Sequence, residues 1–423
     1  MEKTVCELFA GVGGFRLGLE KTNADWQTVW FSQWEPNKTK QWAHACYVSH
    51  WGNINNQTNM DISKVDKHTI PDHNLLVGGF PCQNYSVAAS KSSKGIEGEK
   101  GVLWWQIRDT LIVKRPAFVL LENVDRLLKS PASQRGRDFG IMLTCFAQLG
   151  YSVEWRVINA ADYGAAQRRR RIFIYAYLNN THYAQRQNNI LAEKIIEKEG
   201  FFANTFPLNK IEALKTIDFY VTNLTDTPCD DILYHRDLTT YMADLDLLHT
   251  SENFMFAFEN SGYMNNGHIT TCKVTPIIET ATNISEILET NVDHKYELEG
   301  ETLEKWKYLK GAKRINRTSK TGHEYVFSEG AIAFPDPIDK PSRTMLTSES
   351  SLNRSTHVIQ DPITKHLRLI TPIEAERLQG FDDDWTNTGM PEKFRYFCMG
   401  NALVVPMITR MCLTLNEIFE NEP

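Results

Sequence analysis

The sequence has no apolar run long enough to span a bilayer, no CxxC pair, no surplus of basic residues, and no low-complexity tract or internal repeat. The first absence excludes a membrane-spanning helix, which needs roughly 20 consecutive apolar residues. Between Met1 and the strand-like residues 4–9 there is no basic region followed by an apolar core, so the protein is expected to stay in the cytoplasm. The eight cysteines, at positions 6, 46, 82, 145, 229, 272, 398 and 412, form no zinc-type grouping among themselves or with histidines, which speaks against a disulfide framework and against a bound metal. A formal charge of -6 argues against a uniformly basic nucleic-acid binder, but local distribution outweighs the sum. Arg168, Arg169, Arg170 and Arg171 are consecutive, and Lys91, Lys94 and Lys100 cluster in one polar segment, so a phosphate backbone still has places to bind.

At roughly 100 to 200 residues per domain, 423 residues make two or three domains. Residues 4–9, 28–32, 75–79, 117–122, 153–159 and 172–177 read as strands, and 15–21, 103–114 and 139–150 as helices. That alternation predicts an α/β fold, a doubly wound parallel sheet with helices on both faces and its chemistry in loops at the carboxyl ends of strands. From about 179 to about 341 a polar, Asn- and Thr-rich stretch reads as a separate or inserted domain. Helical patterns return at 372–379 and 404–419, the last expected to pack back on the first domain.

The first strand runs into Phe9-Ala10-Gly11-Val12-Gly13-Gly14 and then a helix. Glycines there let a ligand approach backbone at a helix N-terminus, although the spacing departs from GxGxxG and a tight turn would look the same. Gln33-Trp34-Glu35 closes the second strand, where such folds place groups for ribose and adenine; Trp34 either stacks on a base or fills a core. Asp61, next to Ile62, either accepts from an adenine amino group or caps a helix. Gly78-Gly79-Phe80-Pro81-Cys82-Gln83-Asn84-Tyr85-Ser86 follows an apolar strand, and a cysteine in a Gly/Pro-punctuated loop above a sheet has a route to thiolate character. Glu122-Asn123-Val124 leaves another apolar strand, so its carboxyl either loses solvation and suits proton transfer or is a helix cap or surface acid. In Gln167-Arg168-Arg169-Arg170-Arg171, strand alternation aims Arg169 and Arg171 one way and Arg168 and Arg170 the other.

In this order FAGVGG, GGFPCQNYS, ENV, QRRRR, TPIEAERLQGF and GNALVVP resemble the cytosine-5 DNA methyltransferase family, over most of the chain outside about 179–335. The resemblance implies a catalytic domain of residues 1–178 and 390–423 that uses S-adenosyl-L-methionine, and a target-recognition domain of 179–389, variable over 179–335. Double-stranded DNA would lie between them with one cytosine flipped out. Carried over by motif, Cys82 adds to cytosine C6, Glu122 binds the N3 and amino edge, Arg171 holds O2 and Arg169 supports the site. Phe9, Ala10, Gly11, Val12, Gly13, Gly14, Gln33, Trp34, Glu35, Asp61, Ile62, Gly79, Pro81, Leu103, Asn401 and Ala402 fall on cofactor-pocket positions. Gln83, Ser86, Lys313 and Arg314 are the expected DNA contacts. Gln33 stands where the family usually has an acid for the ribose, which leaves open whether Gln33 or Glu35 takes that role. A cognate restriction nuclease is an implied partner; a monomer is expected, with a second subunit left open. An RNA cytosine-5 methyltransferase of the same fold and a non-catalytic relative are the alternatives. The long 179–335 segment favours DNA, and Cys82, Glu122 and both arginines favour catalysis.

Overall fold

The computed structural model describes residues 1–54, 57–80, 102–219, 221–233, 244–319 and 322–423. Alternation along β1 (Thr4–Leu8), β2 (Gln27–Ser32), β3 (Leu75–Gly79) and β4 (Phe118–Val124) sends successive side chains to opposite faces of a sheet that is apolar on both. On β4, Phe118 and Leu120 join one core layer and Val119 and Leu121 the other. Each fully buried side chain of this kind is worth about 1.5 to 3 kcal/mol. Helix α1 (Gly14–Glu20) and the last helix, Val405–Glu420, cover the first face through Phe15, Leu17, Ile408 and Met411. Past α2 (Trp42–Trp51), helices α3 (Val102–Lys114) and α4 (Arg137–Gln148) cover the second through Trp104, Leu111, Phe139 and Leu143.

With β5 (Tyr151–Asn159), β6 (Arg170–Leu178), β8 (Lys215–Asp218), β9 (Ser261–Asn265) and β10 (His268–Cys272), the sheet has nine strands in the order β2-β1-β3-β4-β6-β5-β9-β10-β8. A small separate sheet pairs β7 (Leu208–Ile211) with β11 (Val274–Pro276). The main sheet is parallel only from β2 to β4: β6 runs against both β4 and β5. The connection 160–169 is too short for the crossover that parallel neighbours need, so β5 and β6 pair antiparallel. The reversal brings the start of β6 to the same end of the sheet as the ends of β3 and β4.

The sheet does not stop where the sequence reading ends the first domain at 178, because β9, β10 and β8 extend it through β5. Nor does the first domain resume only at 390: Ala375, Leu378, Phe381 and Trp385 share a core with Phe15 and Leu403. The part lying outside the main sheet includes a lone ribbon, β12 (Lys313–Thr318) with β13 (Glu324–Glu329). No single helix among the described residues is long and apolar enough to cross a membrane.

Candidate active site

Phe9 (φ 55°), Gly11 (φ 57°) and Gly13 (φ 86°) all take left-handed backbone conformations and turn the chain sharply from β1 into α1. An added Cβ at Gly13 would stand 2.2 Å from the Trp51 ring, whereas one at Gly11 would meet nothing within 4 Å. The loop is therefore packed underneath and open above. Ala10 and Val12 are buried beneath it; Ala10 N–H donates to Ser32 C=O at 2.9 Å and Val12 C=O accepts from Trp385 Nε1 at 2.9 Å. Gln33 reaches back from β2, its Oε1 accepting from Gly11 N–H at 2.7 Å. Trp34 is 37% exposed, which settles against a core tryptophan. Glu35 Oε2 is buried without a hydrogen-bond partner, and burial holds its carboxyl above the usual carboxylate range, opposed by the nearby backbone N–H groups of Ala43 and Trp42 at the start of α2. Asp61 does cap a short turn, accepting from Ser63 N–H at 3.0 Å, with Ile62 buried beside it.

At the neighbouring strand ends, Gly79 and Glu122 are in register on β3 and β4. A Cβ at Gly79 would come within 3.1 Å of Glu122 Oε2, so this carboxylate lies close over the end of β3. Arg171 on β6 pairs in register with Val124, and its Nε lies 2.7 Å from Glu122 Oε1 as an ion pair. Its Nη1 donates to Arg170 C=O at 2.7 Å. Asn123 holds Phe80 C=O at 3.3 Å. The described residues stop there, so Pro81, Cys82, Gln83 and Ser86 lie outside them.

The alternation read from the arginine run is what the structure has: Arg169 and Arg171 point inward, Arg168 and Arg170 outward. Arg169 does not reach the open surface. It is 2% exposed and donates to Met345 C=O at 3.2 Å and Gly400 C=O at 2.9 Å, stapling the late GNALVVP segment to the start of β6. Gln167 reinforces the staple by accepting from Met345 N–H at 3.0 Å. Asn401 is exposed at the end of the helix Glu392–Asn401, Ala402 is half-buried after it, and Leu103 is half-buried at the start of α3. Lys313 donates to Leu309 C=O of the preceding helix Gly300–Lys310 at 3.1 Å and lies 3.7 Å from Glu329, while Arg314 next to it is exposed.

Three features escaped the sequence reading. Trp385 anchors the glycine loop through Val12, and only the polar run before it hints that this tryptophan has a polar partner. The loop 342–345 lies along Ala166 and Arg168, with Ser342 N–H donating to Ala166 C=O at 2.7 Å. Glu7, a charge inside an apolar strand, accepts from Tyr47 Oη–H at 3.0 Å, and burial pushes its carboxyl up to about 8. The described cysteines offer no rival nucleophile in the buried layers: burial pushes the thiols of Cys145 and Cys272 up to about 11 and that of Cys46 to about 12.

A family model described as C-5 cytosine-specific DNA methylase matches residues 3–417. The Type II methyltransferase M.Sau3AI of Staphylococcus aureus is 49% identical over 98% of this chain and 95% of its own. The Type II methyltransferase M.SsoII of Shigella sonnei is 28% identical over 95% of this chain and 77% of its own. Among solved structures, the Entamoeba histolytica methyltransferase EhMeth aligns with a TM-score of 0.56 at 14% identity, covering 100% of this chain and 99% of that one. The S. pombe Dnmt2 methyltransferase aligns with a TM-score of 0.54 at 16% identity, covering 99% and 100%. At those identities the structures share a fold, and the match in sequence carries the rest: this chain belongs to the C-5 cytosine-specific DNA methylase family.

Proposed function

We propose that the chain methylates C5 of a cytosine turned out of a specific sequence in duplex DNA, as a DNA (cytosine-5-)-methyltransferase with Cys82 as its nucleophile. The observation that carries this reading is the Glu122–Arg171 pair, 2.7 Å apart at the strand end where Gly79 leads on to Cys82. Cytosine carries N3 and O2 on one edge, and this pair offers a carboxyl and a guanidinium side by side. C5 is a poor nucleophile until the ring is activated. The Cys82 thiolate forms a bond to C6 as a proton held by Glu122 passes to N3, and the displaced electron pair makes C5 an enamine carbon. Arg171 stabilises the charge that gathers at O2. After methylation the C5 proton passes to water, its electron pair re-forms the C5–C6 double bond as the S–C6 bond breaks, and N3 returns its proton to Glu122. Arg169 is a positioning residue, since its guanidinium holds backbone carbonyls.

S-adenosyl-L-methionine, when bound, supplies the methyl group that C5 takes up. The open space over Gly11 fits it, and the residues that would hold it are the loop of Phe9 to Gly14, Trp34 as a stacking face, and Asp61, Leu103 and Asn401. Gln33 is the better candidate for the ribose: it is tied to the glycine loop and keeps its amide nitrogen for a hydroxyl, while Glu35 is drawn towards the start of α2. Gln83 and Ser86 would meet the DNA beside the flipped base, and recognition is assigned to residues 277–335, outside the main sheet. The Type II designation of both relatives supports a cytoplasmic role as the modifying partner of a restriction nuclease.

Bisulfite sequencing of DNA from cells expressing the chain tests substrate, product and target together. A duplex with 5-fluorocytosine at the target traps a covalent complex, because fluorine cannot leave as a proton does. Cys82→Ala abolishes both trapping and turnover while cofactor binding persists. Normal turnover by that variant refutes the mechanism.

A further inference from the structure

The ribbon β12–β13 has two unlike faces. Lys313, Ile315 and Arg317 pair across it with Glu329, Phe327 and Tyr325. This face is half-buried at Lys313, Ile315, Phe327 and Glu329, where Lys313 reaches Leu309 C=O, while Arg317 and Tyr325 at its far end are exposed and the Arg317 guanidinium lies 3.9 Å from the Phe327 ring centre. The other face carries Arg314, Asn316 and Thr318 opposite Ser328, Val326 and Glu324, all exposed. Among the described residues neither Arg314 nor Asn316 has a side-chain partner.

The composition of this outward face decides what it can bind. One arginine and one glutamate leave it without net charge, so phosphate attraction cannot dominate. With Val326 as its one exposed apolar side chain, it has no hydrophobic patch for a protein partner. What remains is a set of directional groups that match base edges. Arginine pairs bidentately with guanine O6 and N7, asparagine with adenine N6 and N7, and an aliphatic methyl contacts the thymine methyl. A major groove about 12 Å wide admits a two-stranded ribbon. Residues two apart on a strand are separated by roughly 6.6 Å, and base pairs by about 3.4 Å, so Arg314 and Asn316 would fall within two base steps of one another.

We propose that the β12–β13 ribbon lies in the major groove of the target duplex, with Arg314 reading a guanine, Asn316 an adenine and Val326 a thymine methyl. The ribbon is coupled to the chemistry by connectivity: the chain after β13 supplies Ser342 and Met345, which bind Ala166 and Gln167 just before Arg169 and Arg171. This inference rests on the reading that the chain methylates duplex DNA.

The test is methylation of a random-sequence duplex library by the full chain, read by bisulfite sequencing. If the wild type modifies no duplex DNA, the parent reading fails, and the ribbon proposal with it. If it does, Arg314→Ala relaxes preference at one G·C pair and Asn316→Ala at one A·T pair within two steps of it, each by about 5- to 150-fold. Val326→Ala weakens thymine preference at a neighbouring pair. Arg314→Lys keeps the charge but loses the planar fork, so it relaxes the same position with the salt dependence of binding unchanged. Unaltered specificity in Arg314→Ala and Asn316→Ala, with normal urea unfolding, overturns the proposal. So does a uniform loss on all sequences with a flatter salt dependence, which would make these residues phosphate contacts.

Discussion

Two glycines in one loop make opposite predictions. Replacing Gly13 by alanine puts a Cβ 2.2 Å from Trp51 Cζ3 at a backbone φ of 86°. The left-handed conformation alone costs a non-glycine residue about 1 to 2 kcal/mol. The clash adds about 1 to 3 kcal/mol of overpacking, because Trp51 cannot easily retreat: its Nε1 donates to Glu20 Oε2 at 2.9 Å and Arg16 lies 4.7 Å over its ring. Gly13→Ala should therefore lose about 2 to 5 kcal/mol of stability. Gly11→Ala carries the same backbone strain, but its Cβ enters empty space, so the loss should stop at about 1 to 2 kcal/mol. If that space belongs to the cofactor, a methyl group there weakens binding by roughly 5- to 150-fold, the equivalent of the same overpacking range. Urea unfolding with an unchanged m-value measures the first quantity, and calorimetric titration with S-adenosylhomocysteine the second. Gly11→Ala binding like the wild type would remove the cofactor from this space, and Gly13→Ala at full stability would refute the role of Trp51. Adding Trp51→Leu to Gly13→Ala should recover part of the lost stability.

Glu122→Gln should lower kcat by 100-fold or more with little change in duplex affinity, since general acid–base catalysis contributes about 10² to 10⁴; parallel losses in both would point to a structural role. Arg169→Met removes two charge-assisted bonds worth about 1.5 to 3 kcal/mol each and should lower stability and kcat together. Loss of turnover at full stability would make Arg169 a direct contact instead. The raised Glu7 carboxyl predicts a pH dependence. Between its ordinary 4.5 and about 8 the folded chain keeps a proton that the unfolded chain has released, so stability is greatest below that window and falls as pH rises through it, by at most about 1.4 kcal/mol per unit. Unfolding midpoints of Glu7→Gln between pH 5 and 9 should show a shallower decline than the wild type; identical slopes would exclude the effect. The wild type keeps a further contribution from Glu154, which burial raises to about 7.

The strands of the sheet's first half were legible because each is a short run of apolar residues buried on both faces, which little else explains. The strands β8, β9 and β10 were not, for the opposite reason. Lys-Thr-Ile-Asp, Ser-Gly-Tyr-Met-Asn and His-Ile-Thr-Thr-Cys carry only one or two large apolar residues each, and their place is set by neighbours, with Trp155 of β5 packed so near Gly262 that a Cβ there would stand 2.1 Å from it. Strand formation of this sort is a property of the partner more than of the sequence. For the same reason nothing in the sequence signals that the sheet continues past residue 178.

The site divides along the same line. Candidate loop residues stood out in the sequence because glycine, proline and a cysteine or carboxyl at a strand end have few other uses together. Which of them meet could not be found that way, since Glu122 and Arg171 become neighbours only because β6 runs against β4, and that direction follows from the short connection between β5 and β6. The late segment carries only a motif in the sequence; in the fold it is tied to the start of β6 by Arg169 across 231 residues and to the glycine loop by Trp385 across 373. The arginine run, read from sequence as two alternating pairs, is divided further by the fold. Arg171 pairs with Glu122, Arg169 fastens the end of the helix Glu392–Asn401 through Gly400, and Arg170 pairs with Asp125 at 3.1 Å. Alternation along a strand could say that neighbours differ, but only the elements packed on each side decide what each one does.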